Sequence, residues 1–285
     1  MLRVALFALP GPGDAVMEIV APVLLVRGEP SDFPDALFPT VDANAPDFLS
    51  RFRSAGPDLV LVAGWESRIP SSLYADLPFG GWNIHPSLLP NYRGHNPYFH
   101  VIAKGETETG VTVHRLTDQL DAGDILLQRR FTISSGMTIG DLWRELGKLG
   151  AKAAEETLVL LNGHASIRDM LRPQPTGTFP RAPHVQPADL LLTPDMTLFR
   201  AGNLIRACHP FYGAISRIDD RIVKVYEARP CGNKRISAAG PLLHFSDGSL
   251  EITSLDVEGE GLMTGEEFLR RFRGASAPVE VPSGT

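Results

Sequence analysis

The run Leu-Val-Leu-Val-Ala at residues 59–63 constrains the fold most, because it has no polar side to give to water. Such a strand must be covered on both faces, which points to a parallel sheet with helices packed on each side. RVALFAL at residues 3–9 reads as a second buried strand and APVLLVRG at 21–28 as a third. Between them PGPGD and a short helix around residues 15–20 make a crossover. That crossover is near the minimum of about a dozen residues for a βαβ connection. Residues 28–46, rich in Pro, Asp and Ala, read as loop, and DFLSRFRSAG at 47–56 as an amphipathic helix stopped by Gly56. After residue 63 the loop GWESRIPSSLYADLP leads through a short helix to a strand ending at Asn83.

The next stretches keep the pattern. YFHVIAKGE at 98–106 reads as a helix closing at Gly105, TGVTVHRL at 109–116 as a half-buried strand, and DILLQRRFTI at 124–133 as another strand. Residues 138–163 carry Leu142, Leu146, Leu149, Ala153 and Leu160 at helical spacing, with Thr138 or Ser135 as cap and Gly163 as stop. Five prolines between 171 and 189 preclude helix or central strand and read as a linker. Beyond it, residues 196–208 read as a helix and 221–228 as a strand. Residues 240–259 read as a hairpin turning at Asp247-Gly248, and 264–272 as a helix with Thr264 and Glu267 as capping box. The expected organisation is a Rossmann-like, mostly parallel α/β domain over 1–170, a linker over 171–189 and a small, mainly β domain over 190–285.

Chemistry concentrates in GGWNIHPSLLPNYRGHNPYFH, residues 80–100, and LTDQLDAGDILLQ, residues 116–128. Asn83 and His85 lie two apart, so on an extended strand both side chains leave one face. Pro86, Pro90, Gly94 and Pro97 then force loops. His114 reads as a structural histidine within its strand, and Asp121 opens a loop before a new apolar run.

The segments NIHPSLLPNYRG and ETGVTVHRLTDQLDAGDILLQ resemble the core of the formyltetrahydrofolate-dependent formyltransferases. That family includes enzymes acting on methionyl-tRNA, glycinamide ribonucleotide and sugar nucleotides. Its pattern is Asn-x-His-x-Ser-Leu-Leu-Pro followed by Leu-Asp-x-Gly. The resemblance implies N10-formyltetrahydrofolate as formyl donor and Asn83, His85 and Asp121 as catalytic residues. It also implies an OB-like fold for the C-terminal domain. Trp65, Arg68, Ile69, Leu89, Pro90, Asp118 and Leu120 are the implied donor-binding positions, and the family needs no metal. His95, Asn96 and Tyr212 are candidates for contacting the acceptor.

The chemistry suits these residue types. A neutral amine attacks the formyl carbon, and the formyl oxygen takes up charge that an amide N–H from Asn83 can stabilise. His85 titrates near neutrality and serves as general base, with Asp121 to orient it and help pass the proton to the leaving nitrogen.

The net charge of −6 and pI near 5.8 weigh against tRNA, since phosphate binding wants a basic stripe. The only dense basic cluster is Arg270, Arg271 and Arg273, which reads as the solvated side of a terminal helix. The segment RACHPFYGAISRIDDRIVKVYEA is most similar to the sugar-nucleotide type, although its Pro-Phe-Tyr-Gly-Ala lacks the second proline found there. A small amine acceptor, an amino sugar on a nucleotide, is therefore the expected substrate. Methionyl-tRNA, a hydroxyornithine-type amine, or hydrolysis of the formyl donor are the alternatives. Two cysteines, Cys208 and Cys231, give no disulfide framework and fit a reducing, cytoplasmic setting. The N-terminus reads as a first strand rather than a signal peptide, and no apolar run is long enough to span a membrane. The resemblance further suggests a homodimer.

Overall fold

The structure, a computed structural model, describes residues 2–8, 12–20, 22, 24–27, 40–42, 45–65, 67–163, 167–231 and 240–272. The chain divides into two compact units. One comprises Met1–Pro97, Glu108–Ile133 and Leu142–Pro183; the other comprises Tyr98–Thr107, Ser134–Asp141 and His184–Thr285. The stretch expected as a linker is thus shared, its part through Pro183 belonging to the first unit.

The first unit is built on β1 (Val4–Ala8), α1 (Pro12–Val20), β2 (Leu24–Arg27), β3 (Thr40–Asp42), α2 (Phe48–Ala55), β4 (Leu59–Ala63) and β5 (Gly81–His85). Then come β6 (Arg93–Gly94), β7 (Glu108–Arg115), β8 (Ile125–Thr132), α4 (Ile139–Gly163) and β9 (Arg181–Ala182), while α3 (Pro97–Ala103), between β6 and β7 in the chain, belongs from Tyr98 on to the second unit. A seven-stranded sheet runs β3-β2-β1-β4-β5-β7-β8. Its pairings from β3 through β5 are parallel, and β5–β7 and β7–β8 are antiparallel. This is the mostly parallel α/β sheet that the apolar runs called for, and β1 and β4 are buried along their whole length.

Several local expectations need correction. Residues 40–42 form an edge strand rather than loop; residues 28–39 and 43–44 of that stretch lie outside those described. An edge strand pairs on one side only, so a short Thr-Val-Asp suffices without an apolar run. β5 does not stop at Asn83 but runs through His85, which keeps both side chains on one face. β7 is buried almost throughout rather than half-buried, because its polar residues Thr109, Thr112 and His114 are themselves buried.

One side of the sheet gathers Phe7, Val26, Phe52, Val60 and Val62 with Ile69 and Tyr74. Phe7 meets Phe48 and Trp65 edge-on, at centroid distances of 6.3 and 5.4 Å. On α4, Gly150 allows close approach to β5, since a Cβ there would lie 3.3 Å from Ile84 Cγ2.

The second unit holds α5 (Leu198–Cys208), β10 (Ala214–Ile218), β11 (Arg221–Pro230), β12 (Leu242–Phe245), β13 (Gly248–Val257), β14 (Gly261–Thr264) and α6 (Gly265–Arg271). Its antiparallel sheet runs β10-β11-β13-β12, with β14 also on β13. The expected hairpin at Asp247-Gly248 is β12–β13. α5 buries Ala201, Leu204, Ile205 and Cys208, and Thr264 and Glu267 cap α6 reciprocally. Arg270 and Arg271 lie on α6, and Arg273 falls outside the described residues. Among the described residues no helix is long and apolar enough to cross a membrane.

Replacing Phe7 with alanine removes the ring that joins β1 to Phe48 and Trp65. The expected loss is about 3–5 kcal/mol, read from a lower urea midpoint. A loss under about 1 kcal/mol would contradict the packing described.

Candidate active site

The carboxylate of Asp121, 5 % exposed, is where three strands and a loop converge. Antiparallel register sets Asn83 on β5 opposite His114 on β7, and His85 opposite Thr112. Asn83 Nδ2 lies 3.3 Å from Asp121 Oδ1 and 3.2 Å from His114 Nε2. His85 Nδ1 is 3.6 Å from Asp121 Oδ2, and His114 Nε2 is 3.6 Å from Oδ1. The Gly94 N–H donates to Oδ2 at 2.9 Å. The structure therefore brings Asn83, His85 and Asp121 together. It adds His114, which the sequence offered only as a structural histidine.

Both tautomers follow from the partners. A carbonyl only accepts, so His85 carries its proton on Nε2, which donates to Tyr92 O at 2.9 Å. The lone pair of a neutral His85 is then on Nδ1, facing Asp121. His114 donates from Nδ1 to Arg115 O at 2.8 Å, which leaves Nε2 to accept from Asn83. Burial pushes the His85 pKa below its ordinary 6.5, against the attraction of Asp121. Burial alone would raise the Asp121 carboxyl, but His85, His114 and the Gly94 N–H outweigh it and hold it well below the usual carboxylate range. Near neutrality the pair is thus an uncharged imidazole beside a carboxylate. Protonation of Nδ1 would turn it into a buried ion pair.

The loops are fixed by backbone geometry. Asp121 has φ +54°, in the left-handed region. Gly123 has no room for a side chain, because a Cβ would lie 2.0 Å from Arg115 O. Gly94 has φ +126° and faces Ala182 O, which a Cβ would meet at 2.3 Å. A shift in the β7–β8 register between Val113 and His114 lies beside the site, as bulges often do. Thr112 Oγ1 donates to Ser87 O at 2.6 Å and accepts from the Leu89 N–H at 3.1 Å. Gln128 Nε2 donates to Leu89 O at 2.9 Å and to Thr112 Oγ1 at 3.0 Å.

The residues carried over as donor-binding divide into two groups. Arg68 and Asp118 form an exposed ion pair at 2.8 Å that joins the loop after β4 to the aspartate loop, and Leu120 is exposed nearby in sequence. Trp65 and Ile69 instead pack with the core beneath the sheet, and Leu89 is buried with both backbone groups bonded. Pro90 is half-buried. His95 and Asn96 are half-buried, and the Asn96 N–H donates to Ala182 O at 3.1 Å. Tyr212, in the second unit, packs edge-on against Phe99 at 6.0 Å.

An amide and an imidazole at the end of β5, facing an ionised carboxylate from the loop before β8, are groups suited to acyl transfer. Comparison with known proteins agrees. A formyl transferase family model matches residues 22–158, and a formyl transferase C-terminal domain model matches 185–273. The methionyl-tRNA formyltransferase of Ruminiclostridium cellulolyticum is 31% identical over 236 residues, covering 79% of this chain and 75% of the relative. That of Geobacter sulfurreducens is 30% identical over 264 residues, covering 90% and 81%. The chain belongs to the formyl transferase family. Among solved structures, HypX from Aquifex aeolicus in complex with tetrahydrofolic acid superposes with TM-score 0.70 at 18% identity, covering 97% of this chain and 49% of that one. A candidate sugar N-formyltransferase from Mycobacterium tuberculosis gives TM-score 0.62 at 21% identity, covering 82% and 100%. At these identities the structures share the two-domain fold.

The electrostatics predict a midpoint for the His85 ring below 6.5, measured by NMR titration with His85→Gln to assign the signal. His85 is then still neutral at pH values where an exposed histidine is half charged. A midpoint at or above 6.5 would contradict the burial argument.

Proposed function

We propose that this chain transfers a formyl group from N10-formyltetrahydrofolate to a primary amine. The observation that carries this reading is the neutral His85, with its Nδ1 lone pair facing the ionised Asp121, beside the Asn83 amide. The donor supplies an electrophilic formyl carbon, whose bond to its own nitrogen breaks as the bond to the acceptor nitrogen forms. His85 Nδ1 takes the proton that the acceptor nitrogen sheds, and the Nε2–H bond to Tyr92 O keeps the ring turned for it. Asp121 stabilises the imidazolium so formed and steers the proton on to the leaving nitrogen. Asn83 Nδ2 faces two acceptors that are themselves 3.6 Å apart, so one N–H can serve both, leaving the other for charge developing on the formyl oxygen. For the donor, the exposed Arg68–Asp118 pair offers charged and hydrogen-bonding groups at the site's edge.

The relatives favour methionyl-tRNA as the acceptor, reversing the order suggested by the sequence alone, because those at 30–31% identity are methionyl-tRNA formyltransferases. A second reading, a small amine such as a nucleotide-linked amino sugar, is supported by the net charge of −6, which is poor for holding a polyanion.

The test incubates the protein with N10-formyltetrahydrofolate and either methionyl-tRNA or a panel of amino-sugar nucleotides. Mass spectrometry then looks for one added formyl group. Formylmethionyl-tRNA supports the first acceptor and a formylated sugar the second; absence of formyl transfer to every amine, with or without release of formate, contradicts the proposal. With the active acceptor, His85→Ala is expected to lower turnover roughly 10²–10⁴-fold. Asn83→Ala is expected to lower it about 10²–10³-fold. A folded His85→Ala protein with unchanged turnover would overturn the assignment of the base.

A further inference from the structure

The proline-rich stretch after α4, expected as a linker, is laced onto the two loops of the site. Arg172 exchanges both backbone hydrogen bonds with Ile125, at 2.8 and 2.9 Å. The Tyr92 N–H donates to Pro180 O at 2.6 Å, and β9 pairs in parallel with β6. Between these anchors the side chain of Gln174 reaches into the aspartate loop. Its Nε2 donates to Asp121 O and to Gly123 O, each at 2.8 Å. Its Oε1 accepts from Arg93 Nε at 3.1 Å and Nη2 at 2.5 Å. The residue after Arg93 is Gly94, whose N–H holds the Asp121 carboxylate.

These bonds close a ring: Asp121 backbone, Gln174 amide, Arg93 guanidinium, Gly94 N–H, Asp121 carboxylate. We propose that Gln174 is a positioning residue for formyl transfer, fixing Asp121 in the conformation that faces His85 and Asn83. The proposal rests on the reading that Asp121 serves that reaction. Asp121 needs such support because its φ of +54° is one that residues with a Cβ seldom adopt. Satisfying the carbonyls on either side of the turn holds it there. An amide is the group required, since it offers two N–H donors to the carbonyls and an oxygen to the Arg93 fork. A glutamate could keep Arg93 but not the carbonyls, and a leucine could keep neither.

The test compares wild type, Gln174→Leu and Gln174→Glu. Turnover is expected to fall by roughly tenfold or more in both, on the scale of a catalytic group displaced by a fraction of an ångström, with the donor KM changed far less. A second readout needs no activity: the NMR titration of the His85 ring in Gln174→Leu. His85 faces Asp121, His114 on β7, Arg93 on β6 and the Tyr92 carbonyl. Of these groups, Asp121 favours the protonated ring and Arg93 opposes it, so a displaced carboxylate lowers the His85 midpoint further. Lower turnover together with a lower midpoint supports the proposal. Lower melting temperature with turnover and midpoint unmoved gives Gln174 a purely structural role and overturns it. If the wild type transfers no formyl group yet the midpoint still falls in Gln174→Leu, the positioning of Asp121 stands and the reading of the reaction fails. If Gln174→Leu does not fold, Gln174→Glu, which keeps the Arg93 contact, decides by turnover alone.

Discussion

A buried, ionised carboxylate is the constraint on which the site depends. An ionised group away from water must be matched by donors or neutralise itself. Asp121 is matched by the Gly94 N–H and the Asn83 amide, with two imidazoles facing its oxygens. The four partners come from three parts of the first unit: Asn83 and His85 from β5, Gly94 from β6, and His114 from β7. The sheet register, the glycines that let Arg115 O and Ala182 O approach, and the bonds from Gln174 all act to hold one carboxyl group in one place. A buried carboxylate of this kind is weak evidence for a stable fold, and the lowered pKa of the His85 ring beside it marks a candidate functional site.

Much of this was legible in the chain. Fully apolar runs gave the parallel strands, because burial on both faces leaves a simple mark on sequence. The spacing of Asn83 and His85 gave a shared face, because the strand period is two. What was hidden depended on partners. Thr40–Asp42 was obscured because an edge strand needs little hydrophobicity, and β10 and β14 because short antiparallel strands take their stability from neighbours. His114 looked like any histidine in a strand. Its contact with Asn83 follows from the antiparallel register, which a sequence does not display. Gln174 was concealed among prolines that argued against a helix or central strand, though the stretch does hold the short strand β9, and that said nothing about where a side chain between them would reach. Trp65 and Ile69, carried over from the family resemblance, have side chains in the core. A loop can contact a ligand through its backbone while its side chains anchor it below.

Sequence composition and family relationship pull the acceptor in different directions. Net charge averages over the whole surface, whereas a tRNA acceptor end needs only local recognition, so −6 is a weaker argument than relatives at 30–31% identity over most of the chain. The proposed chemistry at Asp121 would be common to both acceptors, because each would present an uncharged amine to the same formyl carbon.

The central claim, that the Asp121 charge organises catalysis, is tested most directly by single-turnover formyl transfer in Asp121→Asn. Asparagine keeps the shape and can accept one of the two hydrogen bonds, from Asn83 Nδ2 or from the Gly94 N–H, but removes the charge that stabilises the His85 imidazolium. The expected result is a folded protein whose chemical step is slowed by about a hundredfold or more, in the range typical of lost acid–base assistance. A chemical step at the wild-type rate in that variant would contradict it.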